Sequence, residues 1–510
     1  MIEPTLKYIS EPSLTFGNGQ TAIDPRDGLM LFGPFDHKRI KGVKNIGIIG
    51  PSNLRGKMID YLKRIHGPIV NGDLSIARPN FPGLESTFGI SINFDNIIQL
   101  DVKQKDIDEY LKYTDSHQRV HNLVNLYVLP LIKYTEHEEI PVDVWFVVIP
   151  EDIYRFGRPN SKIPKSEDSI NIGLKKSERN STQLDLFSQE EKDALREAYE
   201  FEVNFHNQLK AKILPAKIVT QIIRESKIAY KNLLTDKQIE EEKKFDTAKA
   251  WNISNTLYYK LGGLPWKLGE IRDGVCYLGL VYKKTESDTK NKNACCAAQM
   301  FLDSGDGMVF RGNVGPWWNP TTGEFHLSQQ DAFEVVSQSL EAYYNRFECY
   351  PNEINDYPKE IFIHAKTFFD DPEWAGFEDA VAGKSKIIGV RIKENSTFKL
   401  YRQYSYCVPR GMMLQYDDKK AFLWTKGFIP RFKTQIGLET PNPIDIAVTR
   451  GDADIDVVCK DILGLTKLNY NACIYGDGIP VTLKFADSIG EILTAGKDIK
   501  TGVLPFKHYI

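Results

Sequence analysis

The 510-residue sequence predicts an α/β protein whose two halves are built differently. In the first half, apolar strand-like runs alternate with amphipathic helical runs, the pattern of a parallel sheet covered on both faces. In the second half, three strand-like runs precede one long amphipathic stretch and then another strand. Between the halves lies the stretch richest in chemistry, His206 to Lys260.

Residues 1–37 read as an extended lead-in, rich in Gly and Pro, ending in Leu31-Phe-Gly-Pro-Phe-Asp36. Val43–Gly50 is a buried strand that ends in a glycine turn, and Gly56–Ile65 continues as an amphipathic helix. The turn between them is not a phosphate loop. Five residues rather than four separate Gly50 from Gly56, and Met58 stands where a magnesium-binding Ser or Thr would be. Residues 105–133 are mostly helical, and Val142–Pro150 is the strongest central-strand candidate. Residues 156–192 are polar and rich in Ser, Lys and Asn, and read as a long insertion or mobile loop. Ser188-Gln-Glu-Glu191 resembles a capping box that starts the helix carrying His206.

Val275–Tyr282 opens the second half as a buried strand, with Ala294–Leu302 and Gly307–Gly312 as its hairpin neighbours. Ser328–Phe347 is an amphipathic helix with Phe333, Val336, Leu340 and Tyr344 at core spacing. Ile361–Lys366 and Lys386–Lys393 are further strands. Strand, strand, strand, helix, strand is the order of an RNase H-like fold. Glu286, Asp288, Asp303 and Asp306 fall in loops, where charged residues are usually solvated. Trp317-Trp318 before Asn-Pro reads as a loop anchor.

Composition narrows the function classes. A net charge of −3 argues against a surface coated with nonspecific basic charge, but leaves room for a local basic groove. No apolar run reaches the roughly 18 residues of a membrane span, and the mean hydropathy is −0.36. The start, Met1 to Lys7, lacks the charged and apolar regions of a signal peptide. The seven cysteines are odd in number and form no Cys-x-x-Cys pair, so neither a disulfide framework nor a structural zinc site is expected, and the chain reads as cytoplasmic and reduced. Gly47-Ile-Ile-Gly50 lacks the dinucleotide fingerprint Gly-x-Gly-x-x-Gly.

His206-Asn-Gln-Leu-Lys210 places His206 and Lys210 four apart, on one helix face. Gln221 follows beyond Pro215, across a turn. Lys260 sits one turn before Gly262-Gly263. Two potential cations, a donor amide and one more lysine can therefore converge on one anion such as a terminal phosphate. Each piece alone has an ordinary explanation. Lys-Leu-Gly-Gly is commonly a glycine-capped helix end, and a lone histidine is usually a packing or surface residue.

That set of residues, in that order, resembles the guide 5′-phosphate pocket in the MID domain of Argonaute proteins. The resemblance covers roughly residues 30–510. It implies a lead-in or linker at 1–37, a Rossmann-like MID domain at 38–268 with the insertion at about 156–192, and an RNase H-like PIWI domain at 269–510. His206, Lys210, Gln221 and Lys260 would hold the guide phosphate. Ile510, as the terminal carboxylate, would share a Mg ion with it. Lys212, Lys217 and Arg224 add positive charge beside the pocket, while Arg391, Lys393, Lys399 and Arg402 are placed to track a nucleic-acid backbone. Each could equally be a solvated face. His206 would make anchoring pH-sensitive near neutrality.

An active PIWI domain holds two metal ions with carboxylates. In this sequence the matching positions are Val281, Ala365 in His364-Ala365-Lys366, and Asp487 in Phe485-Ala486-Asp487. Only the last is acidic, so the resemblance implies a chain that is not itself an enzyme. The layout is similar to short prokaryotic Argonautes, with no room expected ahead of the MID-like strand for further domains. For that family it implies a guide RNA, a single-stranded DNA target, and an APAZ-containing effector subunit. The effector, a TIR domain or a sirtuin-like one, hydrolyses NAD in antiviral and anti-plasmid defence. This chain itself would carry no NAD and touch no membrane, and its heterodimer would be able to oligomerise on target binding. Two other readings stay open. One is an active RNase H-type guided nuclease with carboxylates in another register. The other is a sugar- or nucleotide-binding α/β protein without a guide.

Overall fold

In a computed structural model the chain is described over residues 3–38, 40, 42–70, 76–164, 166–174, 195–229, 243–270, 272, 274–284, 294–301, 307–315, 318–319, 323–348, 357–496 and 504–510. The expected extended lead-in is instead folded into the body of the protein. Thr5–Tyr8 forms β1, and Pro25–Phe32 forms helix α1. Asp24 caps α1 by accepting from Arg26 N at 2.9 Å, and Pro25 takes the first turn, where its missing N–H costs nothing. Leu14 and Phe16 are fully buried. Leu14-Thr15 pairs with Lys267-Leu268, which stitches the lead-in to the junction between the halves.

The first half alternates as expected: β2 (Ile46–Gly50), α2 (Ser52–His66), β3 (Ile98–Asp101), α3 (Ser116–His137), β4 (Val144–Ile149), α4 (Phe205–Ile213), β5 (Thr220–Arg224) and α5 (Asp246–Lys260). The sheet order is β3-β2-β4-β5, and every pair is parallel. Side chains of β4 alternate between faces. Val144, Phe146 and Val148 join the core under α2, while Trp145, Val147 and Ile149 join the core under α3. Gly50 turns the chain from β2 into α2 at φ 153°, where a Cβ would stand 2.5 Å from the Val148 carbonyl oxygen.

Two local expectations change. The Ser188–Glu191 capping signal lies outside the described residues, and the helix carrying His206 begins at Asn204, whose side chain accepts from Asn207 N at 3.3 Å. The described part of the polar insertion packs back on α3 and the turn before it: Thr114 N, ahead of the helix, donates to Ile170 O at 2.9 Å, and Arg119 of α3 donates to Ser161 O at 3.2 Å.

The second half contains β6 (Val275–Lys284), β7 (Ala294–Phe301), β8 (Gly307–Gly315), α6 (Gln329–Glu348), β9 (Glu360–Ala365), α7 (Asp371–Val381), β10 (Lys386–Glu394), β11 (Met412–Asp417), β12 (Lys420–Leu423), β13 (Ile444–Arg450), α8 (Ile455–Leu465) and α9 (Val481–Leu493). They build a nine-stranded sheet ordered β1-β11-β12-β13-β10-β9-β6-β7-β8. β6, β9 and β10 are mutually parallel, and β7 and β8 return as antiparallel hairpins. On one face of β6, Leu278 and Leu280 meet Val336 and Leu340 of α6 and Phe377 of α7. On the other, Tyr277 and Val281 share a core with Phe485 and Ile489 of α9. α9 comes so close that a Cβ on Gly279 would sit 2.1 Å from Thr482 O.

Phe333 departs from its expected core role, being 38% exposed, whereas Val336 and Leu340 are buried. Side-chain surroundings of Tyr344 lie outside the described residues, as does Trp317; Trp318 pairs with Phe325 in a two-residue strand. Among the described residues no helix is long and apolar enough to cross a membrane.

A buried charge network fastens the lead-in. Glu11 accepts from Arg410 Nε at 3.0 Å and from Lys467 Nζ at 2.8 Å. Burial works to raise its pKa, but Arg410 and Lys467 outweigh burial and hold the carboxyl below its ordinary value. Removing the carboxylate strands two buried cations, so Glu11→Ala should lose about 3–5 kcal/mol in urea unfolding. The wild-type contribution should be intact at neutral pH and disappear as the pH falls through the folded-state value of Glu11.

Candidate nucleic-acid interface

Three elements from the first half and the far end of the chain meet at one point. α4 presents Lys210, α5 ends on Lys260, and β5 begins at Thr220. Lys210 Nζ donates to Thr220 O at 2.8 Å and to Ile510 O at 2.5 Å. Lys260 Nζ donates to Thr220 O at 2.5 Å and also to Ile510 O. Each lysine is only 1% exposed. Leu261 to Gly263 stop α5 just past Lys260: Gly263 N bonds Tyr258 O at 3.1 Å, and Gly262 adopts φ 93°. Ile510 is held there because Phe506, four residues earlier, stacks on Phe485 of α9 at 3.9 Å between ring centroids.

The electrostatics are unusual for lysine. Among the described residues no Asp or Glu side chain bonds either ammonium. Desolvation draws Lys210 down to about 7. It draws Lys260 well below the ordinary lysine value, and the neighbouring Lys210 charge adds to the shift. An anion entering here would restore both charges.

The surroundings suit an oxyanion. His206 is exposed as a residue yet set deep in the protein mass, with its Nδ1 against Asn207 Oδ1 at 3.0 Å. That desolvation, with the Lys210 charge, lowers its pKa to about 4. Without a bound anion this keeps His206 neutral near pH 7. Gln221 Nε2 donates to Ile222 O at 3.2 Å, while its Oε1 is buried with no hydrogen-bond partner, as is Thr220 Oγ1. His508, unforeseen from the sequence, is buried with an unpartnered Nδ1, and burial followed by the Lys507 and Lys210 charges lowers it to about 4.

The other expected basic residues do not join this cluster. Lys212, two positions from Lys210, points away toward α3, where it bonds Asn125 at 2.8 Å and Glu197 at 3.3 Å. Arg224 stacks over the Tyr154 ring at 3.8 Å. Lys217 is exposed in the turn between α4 and β5, at φ 54°. In the second half, Arg391 pairs with Asp445 at 2.7 Å and Lys399 bonds Asn442, whereas Lys393 and Arg402 are exposed.

A second cluster lies at the ends of β6 and β9. Val281 and Ala365 are buried core residues, with Leu280 opposite Ala365 in the parallel register. Asp487 of α9 accepts from Lys283 at 2.8 Å and pairs with Lys366 at 3.4 Å, and Lys283 also reaches Glu491 at 3.1 Å. Burial works to raise the Asp487 pKa, but Lys283 and Lys366 outweigh burial and lower it. Two ammonium groups thus flank the one carboxylate expected from the sequence.

No protein-family model matches the chain, and no curated protein matches it in sequence. Solved structures do. Clostridium butyricum Argonaute, bound to a guide DNA and a 19-mer target DNA, superposes with a TM-score of 0.63 at 17% identity, covering 97% of this chain and 54% of that one. Aa-Ago with externally bound siRNA gives 0.56 at 17% identity, over 99% and 56%. Aquifex aeolicus Argonaute gives 0.54 at 14% identity, over 99% and 57%. The chain therefore spans about half the length of the structures it resembles. The fold is Argonaute-like, an α/β architecture in which a Rossmann-like MID domain precedes an RNase H-like PIWI domain.

The lysine pair predicts a pH signature. A bound phosphate monoester raises the lysine pKa values, so binding takes up protons above about pH 7. Affinity should fall between pH 7 and 9, by up to about tenfold per pH unit for each lysine that titrates. Calorimetry in that range, above the monoester's own ionisation near pH 6, checks it; a flat profile would place the ligand elsewhere.

Proposed function

We propose that this chain is a guide-binding sensor of the short prokaryotic Argonaute kind, which anchors the 5′ phosphate of a guide RNA and pairs the guide with single-stranded DNA. The observation that carries the reading is the meeting of Lys210 and Lys260 on the Thr220 and Ile510 oxygens, with no carboxylate side chain to balance them. A terminal phosphate is dianionic near neutral pH and offers several acceptor oxygens. The unpartnered Thr220 hydroxyl can donate to a phosphate oxygen, and the unpartnered Gln221 amide oxygen, an acceptor, can take a water that arrives with the phosphate. His206 Nδ1 faces the acceptor Asn207 Oδ1 at 3.0 Å, so the ring donates to a phosphate through Nε2 only in its protonated form, which an incoming anion favours.

Anchoring one end of the guide sets its register, so that downstream bases are ordered before the target arrives. Base pairing then reads sequence while the protein reads backbone charge and shape. Lys217, Lys393 and Arg402 are exposed and available for backbone contact. A magnesium ion belongs to this reading only as one that arrives with the phosphate. The Ile510 oxygen, a carboxylate oxygen in a chain that ends there, already accepts from two ammonium groups, and magnesium needs further oxygen ligands. When bound, the ion would neutralise phosphate charge.

The chain is read as a sensor rather than a nuclease. At the positions where a guided nuclease carries carboxylates it has Val281 and Ala365, and Asp487 is held by Lys283 and Lys366. The consequence of target pairing is assigned to a partner, an APAZ-containing subunit whose TIR or sirtuin-like domain hydrolyses NAD in defence against invading DNA.

The test compares binding of one short RNA carrying a 5′ phosphate or a 5′ hydroxyl. The phosphorylated strand should bind more tightly, and Lys210→Ala and Lys260→Ala should each weaken it by about 10- to 100-fold, leaving the hydroxyl strand unchanged. Equal binding of both strands would overturn the reading. A complementary DNA incubated with the guided protein and Mn2+ should stay intact; cleavage would restore the nuclease alternative.

A further inference from the structure

We propose that His326, Asp370 and Glu373 form a site for one divalent transition-metal ion, of the zinc or manganese class, on the α6–α7 side of the large sheet. One ligand atom from each residue lies within 4.8 Å of the other two. The three come from two stretches of the chain. His326 lies in the segment leading into α6. Asp370 caps α7, accepting from Glu373 N at 2.9 Å, and Glu373 sits in the first turn of that helix.

The second observation is a pair of buried atoms with no hydrogen-bond partner. Glu373 is completely buried, and its Oε2 is unpartnered; His326 is 9% exposed, and its Nδ1 is unpartnered. The two face each other at 3.5 Å. A direct charge-assisted hydrogen bond would close to about 2.7–2.9 Å. Two ligands of a tetrahedral ion with bonds near 2.0–2.1 Å are instead separated by about 3.4 Å. The spacing therefore fits an ion between them better than a proton.

The surrounding contacts follow the pattern that orients metal ligands. The other Glu373 oxygen, Oε1, is held by Leu327 N at 3.3 Å and by the Tyr282 hydroxyl. The other imidazole nitrogen, His326 Nε2, faces Glu324 Oε2 at 3.8 Å, as a histidine ligand commonly faces a carboxylate. One imidazole and two carboxylates favour ions that accept both nitrogen and oxygen over calcium or magnesium. Half-buried Asp370 leaves one side of the site reachable by solvent, where a water would complete four-coordination.

This site is distinct from the cluster around Asp487. Tyr282, which touches Glu373, and Lys283, which touches Asp487, are successive residues of β6 and point to opposite faces of the sheet. An ion here would tie β6, the approach to α6 and the first turn of α7 into one unit.

The test uses the full chain stripped with EDTA and dialysed, titrated calorimetrically with Zn2+ and with Mn2+, and followed by the visible absorption of bound Co2+. The expected result is one ion per chain and a raised melting temperature. Asp370→Asn, which keeps the helix cap, and His326→Gln should each weaken binding by at least about tenfold. Lys210→Ala, at the separate lysine pair, should bind the ion like wild type. Should His326→Gln fail to fold, Asp370→Asn alone decides. No binding by the wild-type chain, or binding unaffected by Asp370→Asn, would overturn the site and leave a plain buried ion pair.

Discussion

Two buried ammonium groups with no carboxylate side chain between them are the constraint on which the rest of this molecule turns. Burying charge is costly unless it is paired and hydrogen-bonded. Here Lys210 and Lys260 are held by two main-chain oxygens, one from residue 220 and one from residue 510. That arrangement needs α4, α5 and β5 in register, and it needs a chain segment 250 residues beyond Lys260 to return to the same point. The aromatic stack of Phe506 on Phe485 brings that segment back by way of α9, a helix that also packs against β6. The site thus couples the two sheets.

The two charged clusters obey opposite rules. At the lysine pair, cations outnumber side-chain anions and their pKa values fall, a state that an incoming anion relieves. Around Asp487, burial would lower the Lys283 pKa, but Asp487 and Glu491 outweigh burial and raise it. Those charges are already balanced within the protein. A net charge of −3 over the whole chain conceals both arrangements, because what matters to a ligand is the local imbalance.

Much of this was legible in the sequence, and the rest has physical reasons for being hidden. Val144–Ile149 and Val275–Val281 announce themselves because strands buried on both faces are continuously apolar. The i, i+4 spacing of His206 and Lys210 and the glycines after Lys260 are local signals, and they led to the lysine pair. β1 carries no such signal, because it is a mostly exposed strand whose partners, residues 412–415, are some 400 positions away. The true start of α4 at Asn204 was masked by a stronger capping signal upstream. Charge positions were readable but their partners were not: Lys212, Arg224 and Arg391 are engaged by residues distant in sequence. The low pKa of His206 arises from the protein mass and two lysines, which composition cannot reveal. His326, Asp370 and Glu373 become neighbours only when α6 and α7 pack side by side.

The most direct test is a structure of the protein bound to a 5′-phosphorylated RNA, with the position of the terminal phosphate read from the density. Phosphate oxygens are expected within hydrogen-bond distance of Lys210 Nζ and Lys260 Nζ, beside His206 and Gln221. A 5′ end lying elsewhere, with both lysines still bonded only to the Thr220 and Ile510 oxygens, would contradict this placement.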